Sequence, residues 1–139
     1  MTIHQTRDFT TKVPCNTLLG MRLYRIHRDG VTIDCPLRDD LRNSAGAAHG
    51  GVTAAMADAA VCRITTVELK INYFRPVREG RIFARSHLLR IGSTLCVGSV
   101  DVTDEQARAI GTAIVTYMFV DAPAVIPEVR HGTRLPRTR

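Results

Sequence analysis

The fold is decided by the stretch Asn43-Ser44-Ala45-Gly46-Ala47-Ala48-His49-Gly50-Gly51-Val52-Thr53-Ala54-Ala55-Met56-Ala57-Asp58-Ala59-Ala60. A polar loop runs here into a helix of small apolar residues, in which only Thr53 and Asp58 are polar between Val52 and Cys62. A helix that is apolar on all sides is typical of a buried helix. A buried helix that retains a carboxylate must either pair that charge or use it. The loop ahead offers an amide, an imidazole and two glycines, which are the parts of a site that polarises a carbonyl group at a helix N-terminus.

The spacing between His49 and Asp58 bears on how such a site can be assembled. The two residues are nine positions apart, which corresponds to about 900° of helix turn and a rise of roughly 13 Å. Asp58 therefore cannot easily act on a group held at the N-terminus of its own helix. If both ends serve one reaction, the second end must come from another protomer, as a two-fold dimer would provide twice. The simpler alternative is that Asp58 is only solvated at the helix edge, while His49 and its glycines only open the helix.

The same residues are similar to a family pattern. Asn43, Gly46, the run His49-Gly50-Gly51 and Asp58 fall at the spacing found in hot-dog-fold acyl-CoA thioesterases of the phenylacetate-degradation type. The resemblance continues in three further segments, Leu19-Gly20-Met21, Thr66-Val67-Glu68-Leu69-Lys70-Ile71-Asn72-Tyr73-Phe74-Arg75-Pro76 and Arg90-Ile91-Gly92-Ser93. It covers about residues 15–120, and the order of loop, helical Asp and following strand makes it specific.

This resemblance implies an α+β hot-dog fold, in which an antiparallel β-sheet wraps around one long central helix. It implies an acyl-CoA thioesterase that hydrolyses the thioester of a small aromatic or medium-chain acyl-CoA to the free acid and CoA. Coenzyme A is then part of the substrate, so no separate cofactor and no metal are expected. A homodimer with shared active sites is expected as well, extended to a homotetramer that is a dimer of dimers.

Roles follow for the residues around the start of the helix. The backbone N–H groups of Gly50 and Gly51 lie where the helix dipole favours a developing oxyanion, and the missing Cβ lets this backbone approach the substrate. By resemblance, the side-chain amide of Asn43 donates to the substrate carbonyl or to the attacking water. His49 is expected to shape the loop or to contact the thioester rather than to act as a base.

Two further residues with predicted roles, Asp58 and Thr66, lie beyond the first turn of the helix. Asp58 of the other protomer is expected to act as general base or as direct nucleophile, and the sequence does not separate these two. Thr66 occupies the position where relatives have a Ser or Thr hydroxyl that helps to hold the water. The alternative for Thr66 is an ordinary β-branched strand residue.

The charge of the chain favours an anionic partner. Nineteen basic and 13 acidic residues give a net charge of +6, and CoA carries several negative charges on its pyrophosphate and 3′-phosphate. In the family, the edges that hold Arg75, Arg90, Gly92 and Ser93 lie near the nucleotide, so these residues are expected to bind the CoA part of the substrate. Nucleic acid is not expected, because aromatic residues make up 5% of the chain and no RNA-binding motif is recognisable.

Length and composition favour one domain over residues 1–139, with a core at about 15–120 and a basic tail at 121–139. No apolar run approaches the about 18 residues of a membrane span, and a signal peptide is not recognisable. The four cysteines lack metal-ligand spacing, which indicates reduced thiols in a cytoplasmic protein. Strands are expected at 21–28, 31–37, 66–74, 81–90, 94–102 and 109–120 around one helix, which is an α+β order.

One departure from the family concerns the end of the helix. Only seven residues separate Asp58 from Thr66, where relatives generally carry about ten more to complete the helix and turn the chain back. The helical run is expected to end at Cys62-Arg63, with no turn residues before the next strand. Either this chain has a shortened helix, or a segment is missing from the sequence near Ala60-Val61; we favour the missing segment.

Two other functional classes stay open. A non-catalytic acyl-CoA-binding or sensor protein could use the same fold without needing Asp58 at the thioester. A hot-dog hydratase or dehydratase is disfavoured, because its family pattern places a His five residues after the Asp, and Arg63 stands there.

Overall fold

The computed structural model describes residues 12–60 and 65–119. The elements are helix α1 (Pro14–Leu19), strands β1 (Arg22–His27) and β2 (Gly30–Pro36), a 3₁₀ turn (Asp39–Leu41), helix α2 (Gly50–Ala59), and strands β3 (Thr65–Tyr73), β4 (Arg81–Ile91), β5 (Leu95–Asp104) and β6 (Ala109–Met118). The predicted order of two strands, one helix and four strands is confirmed, and the strand boundaries agree to within about two residues. The sequence pattern did not predict α1 or the 3₁₀ turn. No helix among the described residues has the length and apolar character needed to cross a membrane.

The six strands form one antiparallel sheet in the order β1-β2-β4-β5-β6-β3. Strands β4, β5 and β6 follow one another through short turns, as the turn residues predict. Strand β3 comes after α2 in the chain but pairs with β6, at the opposite edge of the sheet from β1. In the described part of the chain, the outer side of β3 pairs with no other strand, so its backbone groups are open to a partner.

Helix α2 lies on one face of this sheet and forms the core with it. The buried side chains of the helix are Val52, Thr53, Met56 and Ala57. The strands present alternate residues to the helix, which is the period-2 pattern of a sheet with one buried face. The most deeply buried of these strand residues include Ile82, Ala84, Val100, Val102, Ala113 and Val115. The small side chains of α2 let its backbone come close to the sheet.

Helix α2 begins at a capped N-terminus. His49 is the N-cap residue, and its Nδ1 accepts a hydrogen bond from the N–H of Gly51 at 3.0 Å. The carbonyl of His49 accepts the N–H of Val52 at 2.9 Å. An N-cap side chain satisfies one of the backbone N–H groups that would have no partner at the start of a helix. His49 therefore has a structural task, which agrees with the expectation that it shapes the loop.

The other end of α2 is held by two strands. Ser86 of β4 is fully buried, and its hydroxyl donates to the carbonyl of Ala60 at 2.8 Å and accepts the N–H of Val31 at 3.0 Å. Tyr117 of β6 is also buried, and its hydroxyl donates to the carbonyl of Asp58 at 3.0 Å. These side chains satisfy carbonyl groups that have no partner inside the last turn of a helix.

The helix is ten residues long, and it ends at Ala59, before the expected end at Cys62-Arg63. Strand β3 then begins at Thr65. The hypothesised missing segment falls in residues 61–64, which lie outside the described residues. The choice between a shortened helix and a missing segment therefore stays a prediction. The basic tail at 121–139 also lies outside the described residues.

The face of the sheet that points away from α2 carries ion pairs. Arg81 pairs with the buried Asp34, and Arg85 pairs with Asp29. Nδ1 of His87 lies 3.0 Å from a carboxylate oxygen of the same Asp29. Hydrogen bonds from Arg85 and then from His87 lower the pKa of Asp29 to about 2. Arg81, Arg85 and His87 of β4 are thus engaged by acidic partners within the protein.

Ser86→Ala is expected to destabilise the fold. It leaves the N–H of Val31 and the carbonyl of Ala60 without their side-chain partner, and an unsatisfied buried polar group costs about 1–3 kcal/mol. We expect the free energy of unfolding in urea to fall by about this amount. Ser99→Ala in β5, where the side chain is only half-buried, is the matched control and should change it by less than about 0.5 kcal/mol. Equal losses in both variants would contradict the role of Ser86 at the helix end.

His49→Ala is expected to lower the free energy of unfolding by about 0.5–2 kcal/mol, the usual effect of removing an N-cap side chain. His49→Asn should retain most of the stability, because its amide oxygen can accept the same N–H of Gly51. Thermal unfolding followed by circular dichroism measures both variants. A His49→Ala protein as stable as the wild type would show that the cap contributes nothing.

Candidate active site

A cleft of about 350 Å³ opens where α2 begins and β3 ends. Its walls are the loop before α2, the first turn of α2, the end of β3 with the segment after it, and the start of β6. The lining residues are Asn43, Ala47, Ala48, Gly50, Thr53, Tyr73, Phe74, Arg75, Pro76, Val77 and Ile110. A mostly apolar wall with a few polar groups is typical of a small-molecule site.

Asn43 has one side of its amide fixed by the loop. Its Oδ1 accepts the N–H of Ala45 at 2.9 Å and the N–H of Ala47 at 3.1 Å. Because two backbone donors face this atom, the other amide atom is the NH₂ group. That group has no hydrogen-bond partner among the described residues, and Asn43 lines the cleft. Asn43 can therefore donate to a ligand there, as its predicted role requires.

Two arginines hold this loop in place, and the sequence analysis did not identify that role for them. Arg42 donates to the carbonyl of Gly46 at 2.9 Å and to the carbonyl of Arg78, while Arg78 donates to the carbonyl of Ala45. Gly46 has φ of +73°, a left-handed conformation that glycine adopts without steric cost. Arg42 precedes Asn43 directly, but its contact with residue 78 is long-range and leaves no local sequence pattern.

Tyr73 is a residue of the cleft that the sequence analysis did not assign to the site. Its hydroxyl donates to the carbonyl of Gly50 at 2.7 Å. Burial raises the pKa of Tyr73, so the hydroxyl remains a donor at neutral pH. A Cβ on Gly50 would lie 3.2 Å from the hydroxyl oxygen, so glycine permits this close approach. The sequence signal for this role is the position of Tyr73 in the strand segment that resembles the thioesterases.

The prediction for Gly51 needs a correction. Its N–H was expected to face the substrate together with the N–H of Gly50, but it donates to Nδ1 of His49 at 3.0 Å. The cap thus occupies this donor in the protein itself. The physical reason is the imidazole in the N-cap position, which supplies an acceptor to its own helix before any ligand binds. Gly50 keeps its place in the cleft wall.

Asp58 and Thr66 lie together at the other end of α2. The hydroxyl of Thr66 donates to Oδ1 of Asp58 at 2.5 Å. Asp58 is half-buried, and within residues 12–60 and 65–119 it pairs with no cation and its Oδ2 has no hydrogen bond. A carboxylate with one oxygen held and the other free can accept a proton or attack an electrophile.

The residues predicted to bind CoA lie at two different ends of the protomer. Arg75 lines the cleft, and its side chain is exposed. Arg90, Gly92 and Ser93 lie at the turn between β4 and β5. Strand β5 begins beside the end of β6, and β6 ends beside the start of β3. The turn that leads into β5 therefore lies at the same end of the sheet as Thr66. One protomer therefore does not bring Arg75 and Arg90 together.

A single protomer thus holds its candidate residues in two separate places. We call Asn43, His49, Gly50 and Tyr73 the N-terminal half-site, and Asp58 and Thr66 the carboxylate half-site. Gly50 and Asp58 are eight residues apart in α2, which corresponds to a rise of about 12 Å. Among the described residues, no group of three or more His, Cys, Asp or Glu side chains is placed to hold a metal ion.

Comparison with known proteins places these features in a family. A model for the acyl-CoA thioesterase N-terminal domain matches residues 38–118, which is more than half of the chain. The medium/long-chain acyl-CoA thioesterase YigI of Escherichia coli is 29% identical over 136 aligned positions, which cover 79% of this chain and 88% of the relative.

Solved structures share the fold. A thioesterase from Haemophilus influenzae has a TM-score of 0.76 at 20% identity, covering 85% of this chain and 90% of its own. A thioesterase from Pseudomonas aeruginosa has a TM-score of 0.75 at 20% identity, covering 85% and 93%. The predicted hot-dog arrangement is confirmed, while the phenylacetate-degradation subtype stays a prediction. On the family match, the half-sites and the fold, this chain belongs to the acyl-CoA thioesterase family and is a thioester hydrolase.

Proposed function

We propose that this chain hydrolyses the thioester of a medium-chain or small aromatic acyl-CoA at active sites shared between two copies. The observation that carries the shared site is the separation of the two half-sites along α2. The N-terminal half-site has donors for a carbonyl group but lacks a free carboxylate, and the carboxylate half-site lacks such donors. A complete site would therefore combine one half-site with the complementary half-site of a second chain.

Strand β3 is the edge at which a second copy would pair. Its outer backbone groups are open, and most of its side chains are exposed, with Val67 57% exposed. The side chains Ala54, Ala55 and Ala59 of α2 are only half-buried in the protomer, although a helix this apolar is expected to be buried all round. Pairing of two copies along β3 would cover both surfaces.

Two-fold symmetry would bring complementary half-sites together. Antiparallel pairing of two β3 strands about their central residue, Leu69, sets Thr65 opposite the partner's Tyr73, so that Thr66 lies one residue away from it. Thr66 belongs to the carboxylate half-site and Tyr73 to the N-terminal half-site. A symmetric dimer would therefore contain two equivalent complete sites, which supports the homodimer expected from the sequence.

The chemistry of such a site follows from its parts. The N–H of Gly50 and the amide of Asn43 would bind the thioester carbonyl oxygen or the attacking water, where negative charge develops. Asp58 would take a proton from water, whose oxygen attacks the carbonyl carbon, or would attack that carbon itself and be released by water. In both routes the C–S bond breaks, the CoA thiolate leaves and takes up a proton, and the free acid remains. The hydroxyl of Thr66 keeps the carboxylate oriented.

The CoA phosphates would lie at the rim of this composite site. Arg75 lines the cleft and, in the described part of the chain, makes no ion pair. In the dimer, the Arg90, Gly92 and Ser93 turn approaches the cleft from the partner, because it shares an end of the sheet with Thr66. We propose that these groups bind the polyanionic part of the substrate.

The acyl group would occupy the apolar part of the cleft. Its walls include Phe74, Val77 and Ile110, which suit a hydrocarbon or an aromatic ring. The similarity to a medium/long-chain acyl-CoA thioesterase supports the medium-chain choice. A small aromatic acyl-CoA is the alternative that a substrate panel would separate.

A dimer of dimers would use the face of the sheet opposite α2. Leu95, Ile114 and Met118 are 45%, 46% and 38% exposed there, and the register places Leu95 beside Met118. We propose that this apolar patch supports the homotetramer, and light scattering at micromolar concentration reads the assembly state directly. The cytoplasmic location stays a prediction.

Asp58→Asn is expected to lower turnover by about 10²–10⁴-fold, because loss of a general base or nucleophile removes a contribution of that size. Release of free thiol from a panel of aromatic and aliphatic acyl-CoAs measures the rate. Asp101→Asn in β5, on the opposite face of the sheet, is the control and should retain wild-type turnover. If wild-type protein binds acyl-CoA but releases no thiol from any of them, the protein is a sensor or binding module and the proposal is wrong.

Mixing two inactive variants tests the shared site itself. Asn43→Ala and Asp58→Ala chains should form heterodimers in which one site carries both lesions and the other carries neither. The mixture should regain up to about half of the wild-type activity per heterodimer, as two-fold symmetry requires. Subunit exchange is verified by native mass spectrometry of the mixed dimers. Exchanged heterodimers without activity would rule out a site assembled from two chains.

A further inference from the structure

The wall of the cleft contains a hydroxyl group that has no role so far. Thr53 lines the cleft next to Gly50 and is only 4% exposed. Within residues 12–60 and 65–119 its hydroxyl makes no hydrogen bond, whereas the buried side chains of Ser86 and Asp104 are hydrogen-bonded. Because no buried side-chain oxygen or nitrogen of the described residues lacks a hydrogen bond, the hydroxyl oxygen of Thr53 must be open to the cleft, where a ligand or solvent can satisfy it.

The position of Thr53 in α2 directs this hydroxyl toward the proposed carbonyl site. Residues three apart in a helix share a face, and helical side chains lean toward the N-terminus. The side chain of Thr53 therefore covers the turn that begins at Gly50. Both residues line the same cleft, so a group bound by the N–H of Gly50 lies beside the hydroxyl of Thr53.

Few backbone N–H groups at the start of α2 are available to a ligand, so a further hydrogen-bond donor there would be useful. The N–H of Gly51 is taken by His49, so only the N–H of Gly50 remains from the two glycine donors that the sequence suggested. Stabilisation of an oxyanion relies on several donors directed at the oxygen where charge develops. A threonine hydroxyl can supply one donor, and this one makes no hydrogen bond within the described residues.

We propose that the hydroxyl of Thr53 donates a hydrogen bond to the thioester carbonyl oxygen, together with the N–H of Gly50. The inference rests on the proposed thioesterase site and adds Thr53 to it as a catalytic residue. The bond strengthens as the carbonyl carbon is attacked and its oxygen becomes negative. When the C–S bond breaks, the carbonyl forms again, and the hydroxyl keeps its proton throughout.

Thr53→Val removes the hydroxyl with little change in shape, and Thr53→Ser keeps it. Loss of one oxyanion donor typically lowers kcat by about 10²-fold, and we expect a loss of this order with similar size for every acyl chain and with KM changed by less than about threefold. Thr53→Ser should retain kcat to within about threefold. Thr103→Val in β5, outside the cleft, is the matched control. Thr53→Ala serves as a second hydroxyl-free variant if Thr53→Val does not fold.

A binding measurement separates this inference from the proposed function. Two CoA analogues are titrated by calorimetry: a ketone, in which CH₂ replaces the thioester sulfur, and a thioether, which lacks the carbonyl. We expect Thr53→Val to weaken binding of the ketone several-fold and to leave binding of the thioether unchanged.

The kinetic and binding results test the role of Thr53 and the proposed function separately. Hydrolysis by the wild type with unchanged kcat in the hydroxyl-free variants overturns the role of Thr53 and leaves the proposed function intact. Selective loss of ketone binding without hydrolysis by the wild type supports Thr53 as a carbonyl donor and overturns the proposed function. Equal weakening of both analogues would show that Thr53 only shapes the cleft, and no binding of either analogue overturns both proposals.

Discussion

The fixed position of α2 on the sheet is the constraint on which the rest of the structure depends. His49 caps its first turn, and Ser86 and Tyr117 hold its last carbonyl groups. A helix of ten residues has too few internal hydrogen bonds to be stable alone, so these side chains and the packing of its small residues determine where it lies. The loop before it and strand β3 then take their places relative to this one element.

The fixed position of α2 also places the two half-sites at opposite ends of the helix. Tyr73 ties the end of β3 to the start of α2, and Thr66 ties the start of β3 to the end of α2. The strand therefore runs alongside the helix, in the opposite direction, at the edge of the sheet. Each end of the helix therefore carries part of the candidate site, and in the proposed function a second chain would supply the opposite end.

The fold was largely predictable because its signals are local. Alternating apolar residues defined the strands, and the run from Gly50 to Ala60 defined the helix, since both patterns follow from backbone periodicity. The resemblance to the thioesterases singled out Asn43, Asp58 and Thr66; the structure places Asn43 in the cleft and Thr66 beside Asp58, while their catalytic roles stay a prediction. Sequence order alone could not reveal that β3 pairs with β6, because that pairing joins residues far apart in the chain.

Details of the site were harder to predict, for physical reasons that differ between residues. The use of Gly51 by its own cap depends on the side-chain rotamer of His49, which composition does not encode. The contacts of Arg42 with Arg78, and of Tyr73 with Gly50, join distant segments. The hydroxyl of Thr53 has no partner within residues 12–60 and 65–119, and this depends on the three-dimensional surroundings of the side chain, which a local sequence pattern does not encode.

The open edge of β3 also affects how readily a newly synthesised chain aggregates. A newly folded copy presents a strand of nine residues whose outer backbone groups are unpaired, and such an edge can recruit any extended segment it meets. Lys70 and Glu68 place charges along this edge, which discourages random pairing. In the proposed dimer, pairing with an identical copy would cover this edge and so compete directly with misassembly.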